Sequence, residues 1–156
     1  MAYFRLTFRV AMEELSSYND LGLYQQSHDF HDLRRGEPLS DFNGPLLCMM
    51  DGFNGKMPPF FESPAFIGSS RFCDELRKAG ADSFEEFPVL IRDPERDVTI
   101  DDYRLINVIG RSDGSEADGP DLFLLQTDPA CVVVSGRVRS RLIDAGYPEL
   151  FFIELE

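Results

Sequence analysis

The chain has no tryptophan, only two histidines and three cysteines, and its bases are few: 15 Lys and Arg against 28 Asp and Glu, a formal net charge of −13. Each shortage excludes something. Nucleic-acid backbones and anionic membrane surfaces need neutralising Lys and Arg, so both are poor partners for such a chain. Three cysteines are an odd number without C-x-x-C spacing, and Cys48, Cys73 and Cys131 each stand in an apolar context. They are expected as buried free thiols, which places the protein in a reducing compartment, the cytoplasm. No apolar run approaches the roughly 18 residues that span a bilayer. The opening "MAYFRLTFRV" alternates and carries arginines within it, so it reads as a strand and not as a signal-peptide core.

Catalytic signatures are missing as well. His28 and His31 in "SHDFHDL" could share a helix face, but no third or fourth ligand follows at metal-site spacing, so a polar surface turn and no metal are expected. No G-x-S-x-G elbow and no activated cysteine motif occur, and "GFNG" and "GRSDG" lack the strand–glycine loop–helix context of a dinucleotide site. The acids Glu85–Glu86 and Asp101–Asp102 are adjacent because acids are abundant, with nothing to separate their pKa values. No cofactor is expected. Arg137, Arg139 and Arg141 form the one local concentration of positive charge, expected to pair internally with Asp144 and other surface acids.

What the chain does contain is phenylalanine, fourteen residues of it, and a repeat. "SSRFCDELRKAG", Ser69 to Gly80, returns sixty-six residues later as "SGRVRSRLIDAG", Ser135 to Gly146, sharing a serine, an arginine, a leucine and the closing Ala-Gly. Ser69 or Ser70 in the first copy, and Ser135 in the second, is placed to cap a helix. Phe72, Leu76 and Ala79, and again Val138, Leu142 and Ala145, form an apolar stripe. The glycine supplies a left-handed stop. "PAFIG" and "ACVVV" enter these helices, and "FEEFPVLI" and "ELFFIELE" leave them as strands. The last is apolar on both faces and is therefore expected inside a sheet. Further strands are expected at 3–10, in "PLLCMM", in "YRLINVI" and in "DLFLLQ". The segment 11–45 is polar and ambiguous, and "DGFNGKMPPFFESP" reads as a Gly- and Pro-rich loop. The expectation is a single α+β domain over 1–156, with a mixed or antiparallel sheet, a few short helices and a weak strand–helix–strand repeat. Possible subdomains are 1–95 and 96–156.

The succession "FPVLIRD", "DYRLINVIG", an acidic loop and "DLFLLQTDPACVVVSGRVRSRLIDAGYPELFFIEL" resembles the Imm11 family, associated with immunity proteins of bacterial polymorphic toxin systems. The points of resemblance are the Tyr-x-Leu-Ile-Asn-Val strand, the Val-Val-Ser-x-Arg-Val helix entry and the terminal Phe-Phe-Ile-Glu strand, over about residues 87–155. The resemblance implies a small cytoplasmic protein that binds and neutralises a cognate toxin by contact and carries no catalytic residues. The acidity agrees with a basic partner. Two contact surfaces are expected: the acidic loop, with Asp113, Glu116, Asp118 and Asp121, and Phe60 and Phe61 in "MPPFF". The rival classes are a small hydrolase with a dispersed carboxylate and histidine site, and an adaptor subunit of a secretion assembly.

Overall fold

The computed structural model describes residues 2–15, 17–23, 32–50, 56–116 and 118–156. His28, His31 and the "GFNG" turn lie outside the described residues. In chain order the elements are β1 (Tyr3–Phe8), α1 (Met12–Leu15), β2 (Leu21–Leu23), a 3-10 turn (Asp32–Arg34), β3 (Leu46–Met50), β4 (Phe60–Phe61), β5 (Ile67–Ser69), α2 (Ser70–Lys78), β6 (Phe84–Asp93), β7 (Val98–Val108), β8 (Arg111–Ser112), β9 (Leu122–Leu125), β10 (Asp128–Ser135), α3 (Gly136–Asp144) and β11 (Leu150–Glu154). They build two mixed sheets, β2-β3-β6-β7-β5-β4 and β11-β1-β10-β9-β8. The α+β expectation is met.

Both repeat helices form where their caps place them. Ser69 Oγ accepts from the Phe72 N–H at 3.1 Å, and Ser135 Oγ accepts from the Val138 N–H at 3.4 Å. A serine cap of this kind contributes about 1 kcal/mol. Each helix stops at a glycine of positive φ, 94° at Gly80 and 83° at Gly146. Each buries its leucine, Leu76 and Leu142, completely.

The strands around the helices repeat too. β5 and β6 both run antiparallel to β7, which lies between them; β10 and β11 both run antiparallel to β1, which lies between them. Each copy is therefore a strand–helix–strand unit whose two parallel strands are separated by one antiparallel strand. In one sheet that strand follows in the chain, as the β6–β7 hairpin; in the other it is β1, from the opposite end of the chain. A tyrosine stands opposite each capping serine, Tyr103 across from Ser69 and Tyr3 across from Ser135.

The shared arginine joins the copies. Arg71, at the start of α2, donates to the Ala145 carbonyl at the end of α3, at 2.8 Å. Arg137, at the start of α3, lies over the end of α2, so close that a Cβ on Gly80 would stand 2.6 Å from its Nη2. The helices thus lie antiparallel, and each arginine sits at the negative end of the other helix's dipole. Glu75 and Arg141, which occupy equivalent positions, bind each other at 2.9 Å, as residues beside a local two-fold axis do. Four of the five matched residue types are cap, core and stop; the arginine ties the two units together.

This arrangement separates two glycines of equal backbone conformation. Gly80→Ala and Gly146→Ala each place a side chain in the left-handed region, at roughly 1 kcal/mol. A methyl at Gly146 meets nothing within 4 Å, whereas one at Gly80 displaces Arg137. In urea denaturation Gly80→Ala is expected to lose more stability than Gly146→Ala, and the difference is expected to vanish in an Arg137→Ala background. Equal losses in the wild-type background contradict the crossed arginines.

One core cluster draws on both sheets and both helices, including Leu6, Phe60, Phe72, Leu76, Ile106, Val134 and Leu142. A second, with Leu46, Cys48, Ile67, Ile91 and Leu105, lies within the six-stranded sheet. The expected division at 95/96 fails on two counts. It cuts the β6–β7 hairpin, paired from Phe84↔Val108 to Asp93↔Val98, at a turn where the buried Asp93 accepts the N–H groups of Glu95 and Arg96 at 3.0 and 3.2 Å. It also parts β1 from the C-terminal strands it pairs with. All three cysteines are buried free thiols, and burial raises their pKa, to about 11 at Cys48.

Candidate functional site

Four strands lie at sheet edges. β2, β4 and β8 have three, two and two residues, while β11 has five. Short edges are protected against pairing with other chains; a longer apolar edge is a template for it. The terminal strand, expected inside a sheet, is thus at its rim, with one flank on β1 and no strand on the other among the described residues.

Its geometry follows from the register Thr7↔Phe151 and Arg5↔Ile153. The Leu155 N–H reaches the Tyr3 carbonyl at 2.9 Å and the Arg9 N–H reaches the Glu149 carbonyl at 2.8 Å, so odd-numbered residues turn their main-chain groups toward β1. Antiparallel alternation turns the N–H and C=O groups of Leu150, Phe152 and Glu154 outward. The side chains divide in the same way. Leu150 and Phe152 pack against the main core, while Phe151 and Ile153 on the other face are 37% and 44% exposed.

Two shallow clefts of about 470 Å³ flank the start of the strand. One is lined by Ile143, Arg139, Tyr147 and Phe152, the other by Met12, Arg9, Tyr18 and Glu149, and Phe151 borders both. Ile143 is 48% exposed and Met12 more so. Arg9 lies 4.6 Å over the Phe151 ring, and Arg139 4.8 Å over Phe4, so both cations lie along aromatic faces; Glu14 and Glu149 stand beside Arg9 in one cleft, and Arg139 lines the other. Burial, and then the charge of Glu149, raise the Tyr18 hydroxyl pKa. Arg139 Nε, Tyr147 OH and Glu149 Oε2 are buried without a hydrogen-bond partner among the described residues, and all three border these clefts.

The expected contact residues fare differently. Phe60 and Phe61 are 1% and 6% exposed. Instead of tipping a loop they form β4, paired with β5, and Phe60 stacks on Phe72 at 5.2 Å. As a partner surface they are withdrawn: burying two rings in the core is more favourable than leaving them in water. Asp121 is an internal group, accepting from Ser135 Oγ at 2.6 Å and ion-paired with Arg137. It fixes the loop to the α3 cap. Asp113, Glu116 and Asp118 are exposed. Asp113 accepts the Ser115 N–H and hydroxyl at 2.9 and 2.6 Å, which lowers its pKa. The loop is also a cover: a Cβ on Gly119 would meet the Tyr3 hydroxyl at 2.6 Å and one on Gly114 would meet Leu155 at 3.1 Å, over the small cluster of Tyr3, Phe123, Cys131 and Val133.

Arg137 and Arg141 pair with Asp121 and Glu75, not with Asp144, and Arg139 stacks on aromatic rings. Among the described residues no three His, Cys, Asp or Glu side chains converge as metal ligands, and no helix is long and apolar enough to cross a membrane. Sequence reading missed Phe151 and Ile153. The signal was their bracketing by Glu149, Glu154 and Glu156, since charge at both ends of an apolar strand is a common guard of an edge.

The fold and this surface together describe a small α+β protein whose terminal strand β11 is an apolar sheet edge among the described residues. No model of a known family matches the chain, and no curated protein matches it.

Proposed function

We propose that this is an immunity protein that binds and neutralises a cognate bacterial toxin by direct contact in the cytoplasm, as the Imm11 resemblance implies. The observation that supports it most is the open edge of β11. A toxin segment in extended conformation adds there as a sixth strand, taking hydrogen bonds from the outward groups of Leu150, Phe152 and Glu154. Its apolar side chains meet Phe151, Ile153 and Ile143. Main-chain pairing supplies affinity, and the covered side chains on alternate positions add to it and supply specificity.

Charge gives the partner its character. The acids beside the edge, with exposed Asp113, Glu116 and Asp118 and the net charge of −13, favour a basic toxin. Long-range attraction speeds its encounter with the edge, more so at low salt. A second copy of this chain is disfavoured by the same repulsion. The acidic loop then steers the toxin, and the edge holds it.

Co-expression tests the reading. In a bacterial host, the toxic product of the adjacent gene is expected to arrest growth alone, and this protein is expected to restore it. Growth arrest that persists with the protein folded and abundant contradicts neutralisation.

A further inference from the structure

A strand added at β11 is a short contact. Five residues, at about 3.4 Å each, pair over roughly 17 Å. A specific, stable interface engages roughly 20–30 residues on each side. The proposed toxin therefore needs surface beyond the strand, and the exposed apolar side chains mark where it lies. Among the described residues, the large apolar side chains left exposed are Met12, Leu15, Val98, Ile143, Phe151 and Ile153. Ile143, Phe151 and Ile153 belong to the edge. Met12 and Leu15 are the two apolar residues of α1.

α1 buries none of its four residues, and Met12 and Leu15 are 85% and 52% exposed. A helix of one turn is not stable alone in water, so this one is held from outside. Before it, the Arg9 N–H donates to the Glu149 carbonyl at 2.8 Å. After it, the Asn19 N–H donates to the Lys56 carbonyl at 2.9 Å, and the Tyr18 ring stands edge-on to Phe8 at 5.1 Å. The helix is fixed on both sides and carries its apolar side chains in water. Apolar surface grouped in this way marks a site of contact with another molecule.

This surface is continuous with the edge. Met12 and Phe151 line the same cleft, at the start of β11. Tyr18 joins that cleft to a second one of about 290 Å³, lined by Leu15, Phe8, Pro58 and Phe60, with Asp20 and Glu62 as its only charged groups. Its volume exceeds the ~150 Å³ of a cavity that takes a benzene ring, so it has room for a large apolar side chain. A strand that pairs with β11 and continues past Leu150 comes onto α1.

We propose that the toxin segment runs on past the start of β11, covers Met12 and seats a large apolar side chain in the cleft beside Leu15. This rests on the immunity reading and adds α1 to the binding surface as a second anchor. The thioether of Met12 adapts to the shape laid over it.

Titration calorimetry of the full chain against the purified product of the adjacent gene tests the proposal. Both α1 side chains are exposed, so Met12→Asp/Leu15→Asp is expected to fold with a thermal midpoint close to that of the wild type. Its binding is expected to be at least ~10-fold weaker. Val98→Asp, equally exposed but lining none of these clefts, is expected to bind as the wild type does. The wild-type complex supplies a second reading. Peroxide converts methionine to its sulfoxide, and Met12 is expected to oxidise readily in the free protein and slowly in the complex, as read by peptide mass. If the double variant fails to fold, protection of Met12 decides alone. Undiminished binding by the folded double variant, or Met12 oxidation unchanged by the partner, overturns the α1 anchor and leaves the immunity reading standing. No binding by the wild type overturns both.

Discussion

Replacing Phe151 and Ile153 together by aspartate is expected to weaken binding of the proposed toxin partner by about 100-fold or more and to leave the protein folded. Both side chains lie at the sheet edge on the face away from the main core and are 37% and 44% exposed, so their loss removes part-buried area and the stacking of Arg9 on Phe151 but no contact of the main core. The lost stacking contributes about 0.5–1 kcal/mol and the part-buried area adds to it, so a stability loss on the order of 1–3 kcal/mol that leaves the protein folded is expected. In the proposed complex the same side chains are covered. Two anchors at roughly 2 kcal/mol each amount to a factor of several hundred in the dissociation constant. Two added carboxylates opposite the incoming strand also remain without partners, which adds to the loss. Calorimetry of the double variant measures the loss, and its thermal midpoint serves as the control. Wild-type affinity in a folded double variant removes the β11 edge from the interface. A collapsed midpoint shows instead that Phe151 and Ile153 belong to the core.

The largest effect on stability belongs to Phe72. Its ring is fully buried at the start of α2 and stacks on Phe60 at 5.2 Å, with Phe66 and Tyr147 edge-on at 6.1 and 6.0 Å. It lies in the cluster that both sheets and both helices share. Phe72→Ala therefore empties space that no single element can collapse to fill. Such a truncation costs about 3–5 kcal/mol. For a chain of this length each kcal/mol moves the midpoint by roughly 2–4 °C, so a fall of about 6–20 °C is expected. Denaturant titration gives the free energy directly. A loss below about 1 kcal/mol contradicts the packing described for this cluster.

The parts of the fold legible in the sequence are those set by neighbours in the chain. Ser69 and Ser135 cap because the N–H groups they bind are three residues away, and Gly80 and Gly146 stop helices by their own backbone freedom. The alternation of β1 is equally local. Contacts between distant segments left weaker marks. Arg71 and Arg137 look like ordinary surface residues of a helix, and only the antiparallel packing of α2 and α3 gives them reciprocal ends to reach.

The same reason explains the misplaced sites. An apolar Phe-Phe after two prolines fits an exposed loop tip as well as a two-residue strand, and pairing with β5 settled it for Phe60 and Phe61. Apolarity on both faces of β11 suggested an interior strand, because composition records how apolar a strand is and not whether a neighbour covers its flank. Asp121 looked like one more acid of a solvated loop until Ser135 and Arg137 were brought to it.

The measurement that bears most directly on the proposed function is titration calorimetry of this protein against the purified product of the adjacent gene, at low and at physiological salt. One-to-one binding that tightens as salt falls, with loss of the product's toxic activity at the same stoichiometry, is the result expected of an acidic inhibitor that pairs through its open edge. No heat of binding at either salt concentration, with both proteins folded, contradicts it.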